Sequence, residues 1–141
     1  MRRKNKEEMK HIIYASRPFG FDDAVLKSIL ISSRANNEKS NVTGALICRS
    51  DLYLQLLEGP EDAVDQTFQR IKRDDRHLEL HPLKEGKTDR RLFASWAMRD
   101  DPVKTWMWSF DEVKNGLVRK LSPEEALFVF KRLSREIDQF S

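Results

Sequence analysis

The alternation of apolar and polar residues locates the first strand and the first helix. Residues 11–16 (HIIYAS) predict a short strand containing β-branched and aromatic side chains. Val25, Ile29 and Ser33 then recur at intervals of four, which is the spacing of one face of an α-helix. Asp22 stands just before this stripe, and its side chain predicts a helix cap.

The remaining elements follow from the same patterns, with turn residues between them. A polar stretch at 36–41 predicts the end of the first helix. Pro60 suits the first position of a second amphipathic helix, and Pro82 confines one later strand to a sheet edge. The further strands are predicted at 42–48, 52–58, 78–83 and 93–98, and two more helices at 109–120 and 123–140.

The order β-α-β-β-α-β-β predicts the fold class. It indicates an α+β, ferredoxin-like sandwich, with a five-stranded mixed sheet and two helices on one face. The strand 52–57 is apolar on both faces, so both faces need cover, and we expect the C-terminal helices to supply it. A capping box at 122–125 (SPEE) opens the longer helix. Its apolar stripe, whose alternative role is to meet a partner protein, consists of Leu127, Phe130, Leu133, Ile137 and Phe140.

The net charge does not indicate a nucleic-acid-binding surface. The 141 residues carry a formal charge of +3. Five Lys and Arg against two Glu in residues 1–10 account for this whole excess, so the rest of the chain is formally neutral. We therefore expect residues 1–10 to form a flexible charged tail, and we expect no nucleic-acid partner.

Cysteine content and hydropathy bear on the compartment. Cys48 is the one cysteine, which excludes an internal disulfide and fits a reducing environment. No apolar run is long enough to span a bilayer. We expect a cytoplasmic protein without a membrane partner.

Two polar residues interrupt the predicted apolar core. Gln55 lies in the middle of the doubly covered strand, where its amide must find hydrogen-bond partners. Tyr14 lies in the first strand, which neighbours the third in a ferredoxin-like sheet, so the two side chains could touch. One interpretation is that they only satisfy each other, and the other is that they face a bound polar heterocycle.

Short catalytic motifs are absent from the sequence. It has no P-loop, no GxGxxG, no GxSxG, and no His, Cys or acidic cluster with metal-ligand spacing. The asparagines Asn36 and Asn37 fit a helix end, and the charged run 74–77 fits a solvated helix end. These residues alone therefore predict neither catalysis nor a metal site.

Taken together, six blocks of the chain resemble the BLUF family of blue-light receptors that use FAD. They occur in the family's order and at compatible spacing between His11 and Met98. The blocks are IIYAS at 12–16, SSRANN at 32–37, NVTGALI at 41–47, LYLQLLEGP at 52–60, RIKRDDRH at 70–77 and FASWAM at 93–98.

The resemblance implies roles for individual residues. Tyr14 matches the electron-donating tyrosine, and Gln55 matches the glutamine between that tyrosine and the flavin. Trp96 and Met98 match the strand that carries the signal outward, and we expect them to share one face of that strand. The implied cofactor-binding set consists of Ile29, Ser33, Asn36, Asn37, Gln55, Arg70, Ile71, Asp74, Arg76 and His77.

The resemblance also implies a function. It predicts a blue-light photoreceptor, not an enzyme, in which FAD is held non-covalently, with FMN or riboflavin as alternatives. Light drives electron and proton transfer from Tyr14 to the flavin and switches the hydrogen bonds of Gln55. We expect 11–100 to bind the flavin and 101–141 to form a helical extension packed on the sheet.

Because the chain ends at Ser141, we expect the signal to leave by contact, through a homo-oligomer or a separate protein partner. The rival hypotheses are a light-independent flavin-binding or regulatory module of the same fold, and a small enzyme of the ferredoxin-like class.

Overall fold

The computed structural model describes residues 8–18 and 23–140, with side-chain burial up to residue 136. Of the predicted tail 1–10, residues 1–7 lie outside this description, as do the predicted cap Asp22 and the side chains of Ile137 and Phe140. Met9 and Lys10 belong to the first strand, and Lys10 is ion-paired with Asp65 and Glu85, so the predicted tail is too long at its end. The elements, in chain order, are β1 (Met9–Pro18), α1 (Asp23–Ser40), β2 (Thr43–Arg49), β3 (Leu52–Pro60), α2 (Glu61–Lys72), β4 (His77–Thr88), β5 (Arg99–Pro102), α3 (Phe110–Lys114), a 3₁₀ turn (Val118–Lys120) and α4 (Pro123–Phe140).

The five strands form one mixed sheet in the order β4-β1-β3-β2-β5. Neighbouring strands are antiparallel except for β2 and β5, which are parallel. The predicted α+β, ferredoxin-like fold is confirmed, and β4 is an edge strand as its proline indicated. The central pair is β1 and β3, and their register places Tyr14 directly opposite Gln55.

Strand β3 divides the interior into two cores. Leu52, Leu54 and Leu56 pack in the core under α4, whereas Tyr53 and Leu57 pack in the core under α1 and α2. The alternation of side chains along a strand produces this division. The prediction that C-terminal helices cover the second face is therefore confirmed.

Local signals define where the C-terminal helices begin. Ser109 and Glu112 form a reciprocal capping box at the start of α3. Ser122 and Glu125 make the same pair of bonds at the start of α4, as the sequence predicted. From the predicted stripe, Phe130 and Leu133 are buried and Leu127 packs partly buried at the edge of the core.

The predicted strand at 93–98 is wrong. This segment consists of turns and bends, and the fifth strand begins only at Arg99. The backbone N–H of Trp96 donates to the carbonyl of Phe93, which turns the chain, and Gly44 N–H donates to the carbonyl of Trp96. Because the segment is not extended, strand alternation does not govern its side chains.

The first helix also extends further than predicted. It continues through Asn36 and Asn37 to Ser40, and the chain then turns at Asn41, which has φ of 60°. Asparagine adopts this left-handed conformation more readily than most residues. Asn37 is consequently a buried residue of the helix and not its terminus.

Candidate functional site

A cleft opens between α1 and α2, above the middle of β3. It brings together all ten residues of the predicted cofactor-binding set. Three further residues, Ser32, Leu57 and Thr67, also line it. The predicted residues in its lining are Ile29, Ser33, Asn36, Asn37, Gln55, Arg70, Ile71, Asp74, Arg76 and His77.

A buried hydrogen-bonded chain of three side chains has at its centre Gln55, which lines the cleft. The hydroxyl of Tyr14 donates to Oε1 of Gln55. The Nε2 of Gln55 donates to the sulfur of Met98, 3.3 Å away. Gln55 and Met98 are each 1% exposed and Tyr14 is fully buried. Gln55 therefore links the first strand to the segment before β5.

Burial determines the protonation state of Tyr14. Desolvation, with a smaller contribution from the charge of Asp74, raises the pKa of the Tyr14 phenol well above its usual range. The phenol is consequently neutral at physiological pH, and its O–H acts as the donor to Gln55.

Two buried polar atoms in the cleft lack partners among the described residues. They are Oδ1 of Asn37 and Oγ1 of Thr67. The other end of the Asn37 amide is engaged, because Nδ2 donates to the carbonyl of Ala97 at 2.8 Å. A buried polar group left unbonded costs about 1–3 kcal/mol. A heterocycle with N–H and carbonyl groups on one edge, such as a flavin, would satisfy both atoms.

The walls and the mouth of the cleft differ in character. Ile29 and Ile71 contribute apolar surface from α1 and α2, respectively. At the mouth, Arg76 pairs with the Asp74 carboxylate through Nε at 2.9 Å and through a terminal nitrogen at 2.6 Å. The same guanidinium reaches across to Ser28 Oγ at 2.7 Å.

The cleft is narrow, and Arg76 is one of the residues that line it. The cleft measures about 120 Å³, below the ~300–1,000 Å³ that is usual for ligand pockets. Arg76 joins the loop before β4 to α1 across the cleft. The unpartnered polar atoms and the apolar walls suit a flavin, and the cleft would have to widen to admit the ring.

Met98 and Trp96 do not share one face, contrary to the prediction. Met98 points inward to Gln55, whereas Trp96 is 40% exposed and lies under the guanidinium of Arg99, 4.8 Å from its ring centroid. The absence of strand geometry between them is the reason. Of the predicted photoactive residues, Tyr14, Gln55 and Met98 are in contact, and Trp96 lies outside the group.

A buried carboxylate holds the segment that carries Met98. Glu58 is 1% exposed. It accepts hydrogen bonds from the backbone N–H groups of Leu92 and Phe93, both at 2.7 Å, and from Thr43 Oγ1 at 3.0 Å. Because three donors converge on it, Glu58 ties the entry of the 93–98 segment to the middle of the sheet.

Sequence reasoning missed four residues of this arrangement. Ser32, Leu57 and Thr67 neighbour predicted positions but were not singled out. Glu58 carried a usable signal: it is the one acid in the apolar alternation of 52–58. A carboxylate at such a position requires buried donors, although the sequence does not show where they come from.

His77 lines the cleft, and its burial predicts that the stability of the protein depends on pH. Its Nδ1 is 2.9 Å from Ser16 Oγ. Burial, the largest cause, lowers its pKa to about 4, with Asp74 opposing and Arg76 adding to the effect. Between pH 6.5 and 4 the unfolded chain binds a proton at His77 that the native state does not bind. Stability therefore falls as the pH falls through this range, by about 3 kcal/mol in all.

We expect His77→Gln to remove this part of the pH dependence. Urea unfolding at several pH values between 7.5 and 4 measures it. The exposed His81, which lies outside the cleft, provides the control for the substitution itself as His81→Gln. An identical pH dependence in His77→Gln would show that His77 is not a buried neutral histidine.

Neither a membrane-spanning helix nor a metal cluster occurs among the described residues. None of the helices in residues 8–18 and 23–140 is both long and apolar enough to cross a bilayer. In the same residues, no three His, Cys, Asp or Glu side chains are grouped to hold a metal ion.

Comparisons with known proteins identify relatives of this arrangement. Residues 9–99 match the sequence model of the family described as "BLUF: Sensors of blue-light using FAD". The photoactivated adenylate cyclase subunit alpha of Euglena gracilis is 36% identical over 87 residues, which is 62% of this chain and 8% of that protein. The blue light- and temperature-regulated antirepressor BluF of Escherichia coli (strain K12) is 39% identical over 64 residues, which is 44% of this chain and 16% of that protein.

The solved structures agree with the sequence comparison. BlrB, a BLUF protein in its dark state, superposes with a TM-score of 0.78 at 26% identity, and the match covers 92% of this chain and 98% of BlrB. The chain spans only a small part of its cyclase relative but nearly the whole of BlrB. The matched segment contains the cleft, the Tyr14–Gln55–Met98 chain and the Glu58 anchor. The chain therefore belongs to the BLUF family, the sensors of blue light using FAD.

Proposed function

We propose that this chain is a blue-light photoreceptor in which FAD occupies the cleft between α1 and α2. The observation that carries the proposal is the buried chain from Tyr14 through Gln55 to Met98, in which Gln55 lines that cleft. It joins the phenol of Tyr14, which can be oxidised, to the amide of Gln55, which can turn over. The amide in turn donates a hydrogen bond to the thioether sulfur of Met98, a weak acceptor. If Tyr14 and Gln55 only satisfied each other in the core, the bond between them would suffice, and the bond to Met98 would not be needed.

Flavin binding is assigned to the residues that line the cleft. Asn37 and Thr67 would meet the polar edge of the ring with their unpartnered oxygens. Ile29 and Ile71 would cover its flat faces, which have no hydrogen-bonding demand. Arg70 and Arg76 stand at the mouth, where anionic groups of the nucleotide side chain can be bound. When bound, the flavin supplies absorption of blue light and, once excited, a strong oxidant.

The protein's own part in the switch is a change of hydrogen-bond direction at Gln55. At present Oε1 accepts from Tyr14 and Nε2 donates to Met98. If the amide turns over, Nε2 faces Tyr14, whose hydroxyl can accept because it is both donor and acceptor. The amide oxygen then faces the sulfur of Met98, which has no proton to donate. The hydroxyl of Tyr14 can change from donor to acceptor, whereas the sulfur of Met98 cannot become a donor. The reversal therefore displaces Met98.

Displacement of Met98 carries the change out of the core under α1 and α2, beside which the flavin would bind. The 93–98 segment is bonded to α1 through Asn37 and Arg34, which contact the carbonyls of Ala97 and Met98 at 2.8 and 3.0 Å. It continues directly into β5 at the sheet edge. Exposed Trp96 lies on the outer side of this segment, where its movement alters the surface and not the flavin.

Signal output is assigned to contacts with other protein chains. We treat residues 11–100 as the flavin-binding unit and 101–141 as the extension that relays its state, through self-association or a separate partner. The rival is a light-independent module that keeps the flavin without a photocycle. The cyclase relative is far longer than this chain, so catalysis is not assigned to the segment described here.

The proposal is tested by recording visible absorption before and after a blue flash, in protein purified under dim light. We expect flavin bands that move slightly to the red and return in the dark. We expect Tyr14→Phe to keep the flavin and lose the movement, because it lacks the hydroxyl proton that Gln55 accepts. Tyr53→Phe, a second buried tyrosine on the same face of the sheet, is the control and should retain the shift.

Two results would contradict the photoreceptor function. A flavin-bound protein without a reversible shift would leave only the light-independent module. A colourless protein that cannot be reconstituted with FAD would show that the cleft does not hold the cofactor.

A further inference from the structure

Helix α4 has an outer face, opposite the buried stripe that covers the sheet. Since an α-helix has about 3.6 residues per turn, six of its side chains point within about 60° of a single direction. All six are exposed or partly exposed. The outer face of α4 consists of Glu124, Glu125, Phe128, Lys131, Arg132 and Arg135.

Phe128 lies at the centre of this outer face. It is 54% exposed, although the guanidinium of Arg135 lies 5.8 Å from its ring centroid. A single exposed apolar side chain is common on protein surfaces and by itself indicates nothing. Phe128 differs because acidic side chains precede it on the same face of the helix and basic side chains follow it.

The charges are arranged symmetrically about Phe128. Glu124 and Glu125 precede it by four and three residues, and Lys131 and Arg132 follow it by three and four. In a second copy of α4 laid antiparallel, with Phe128 facing Phe128, Arg132 faces Glu124 and Lys131 faces Glu125. A two-fold axis repeats each pair, so the outer face is complementary to itself, as an isologous dimer interface requires.

The helix dipole explains only the acidic half of this pattern. Acidic side chains are favourable in the first turn of a helix, where Glu124 and Glu125 lie. Basic side chains are favourable in the last turn, but α4 extends to Phe140 and its last turn has none. Lys131 and Arg132 lie near the middle of the helix, where the dipole gives no reason for them.

Contacts within the chain leave these charges available. Among residues 8–18 and 23–136, Glu124 and Lys131 form no ion pair. Arg132 forms one, with Glu136 at 3.6 Å, and both of these side chains are partly exposed. Exposed ion pairs of this kind contribute little to stability. The charges of the outer face can therefore bind a second molecule at little cost to the first.

We propose that this chain forms an antiparallel homodimer through the outer face of α4. The two Phe128 rings pack together at the centre, and four ion pairs, two on each side, flank them. One pair of helices is a small interface, so we expect a weak dimer with a dissociation constant in the micromolar range. The pairing goes beyond the proposed photoreceptor function and depends neither on light nor on the photocycle.

The test is sedimentation velocity of the FAD-loaded protein in the dark, from micromolar to near-millimolar concentration. We expect a monomer–dimer equilibrium that weakens as salt is added, because exposed ion pairs are screened. Glu124→Lys should weaken the dimer at least about tenfold, since symmetry turns two attractive pairs into two repulsive ones. Glu38→Lys, an equal charge change on the exposed side of α1, should leave the dimer unaltered.

Reversing the pair of charges distinguishes direct contact from a general effect on the fold. Arg132→Glu should also weaken the dimer, although it also removes a guanidinium that lies 4.1 Å from the ring centroid of Trp106. The double variant Glu124→Lys/Arg132→Glu should dimerise again, because each new lysine faces a new glutamate. A mixture of the two single variants should form the mixed dimer for the same reason.

Phe128 provides an independent variant that leaves the charges in place. Phe128→Ala should weaken the dimer at least about tenfold, because two buried rings are lost from the interface. Ile31→Ala is the control, since Ile31 is 69% exposed and lies on α1. A monomer at every concentration would overturn the proposal, and so would a dimer that Glu124→Lys and Phe128→Ala leave intact. A double charge variant no more dimeric than either single variant would overturn the antiparallel register.

Discussion

Replacing Gln55 by leucine is expected to abolish the light-induced red shift while the flavin remains bound. Leucine matches the side-chain volume but neither donates nor accepts, so the connection from Tyr14 to Met98 is broken at its centre. The cleft walls Ile29 and Ile71 and the amide of Asn37 are unchanged, which is why flavin occupancy should persist. The measurement is the difference between light and dark absorption at equal flavin content.

The variant also has an expected cost in stability. The buried hydroxyl of Tyr14 loses its acceptor, which should lower the free energy of unfolding by about 1–3 kcal/mol. Gln66→Leu, at an exposed position of α2, is the matched control and should retain the full shift. A reversible shift of normal size in Gln55→Leu would mean that the amide is not the switching group.

The largest loss of stability is expected on replacing Glu58 by leucine. Three donors converge on this carboxylate, and two of them are backbone N–H groups that cannot turn away. Leaving them without an acceptor should lower the free energy of unfolding by about 4 kcal/mol. Urea unfolding of the FAD-loaded protein measures this loss.

Glu58→Gln removes one acceptor oxygen but keeps the side chain polar, so it separates the two effects of Glu58→Leu. It keeps one acceptor oxygen but directs an NH₂ group at a backbone N–H, so we expect a loss of about 2 kcal/mol. Glu38→Gln on the exposed side of α1 is the control. If Glu58→Leu unfolds at the urea concentration of the native sequence, the carboxylate is not the anchor of the 93–98 segment.

Sequence reasoning was most successful where the pattern was local. Helical spacing, the capping box at 122–125 and the double-sided apolar strand predicted four of the five strands and the helices on both faces of the sheet. The placement of Tyr14 opposite Gln55 followed from the predicted fold, because β1 and β3 are its central neighbours. These inferences depend on residues close together in the chain or on a general topology.

The 93–98 segment could not be predicted in the same way. Its composition suits a strand, but its path is determined by bonds to Glu58, Gly44, Asn37 and Arg34, which are distant in sequence. The separation of Met98 from Trp96 follows from this path. Which of the two contacts Gln55 is therefore a tertiary property, outside what residue periodicity can show.

The double-sided burial of β3 has a consequence for insertions and deletions in the chain. Odd-numbered positions of β3, such as Gln55, face the core under α1 and α2. Even-numbered positions, such as Leu54, face the core under α4. A single residue added to or removed from the turn at 50–51 that shifted β3 by one position would exchange these sets. The glutamine would then enter the apolar core, and a leucine would face Tyr14. We therefore expect this turn to tolerate only those insertions and deletions that leave each side chain of β3 on its present face of the sheet.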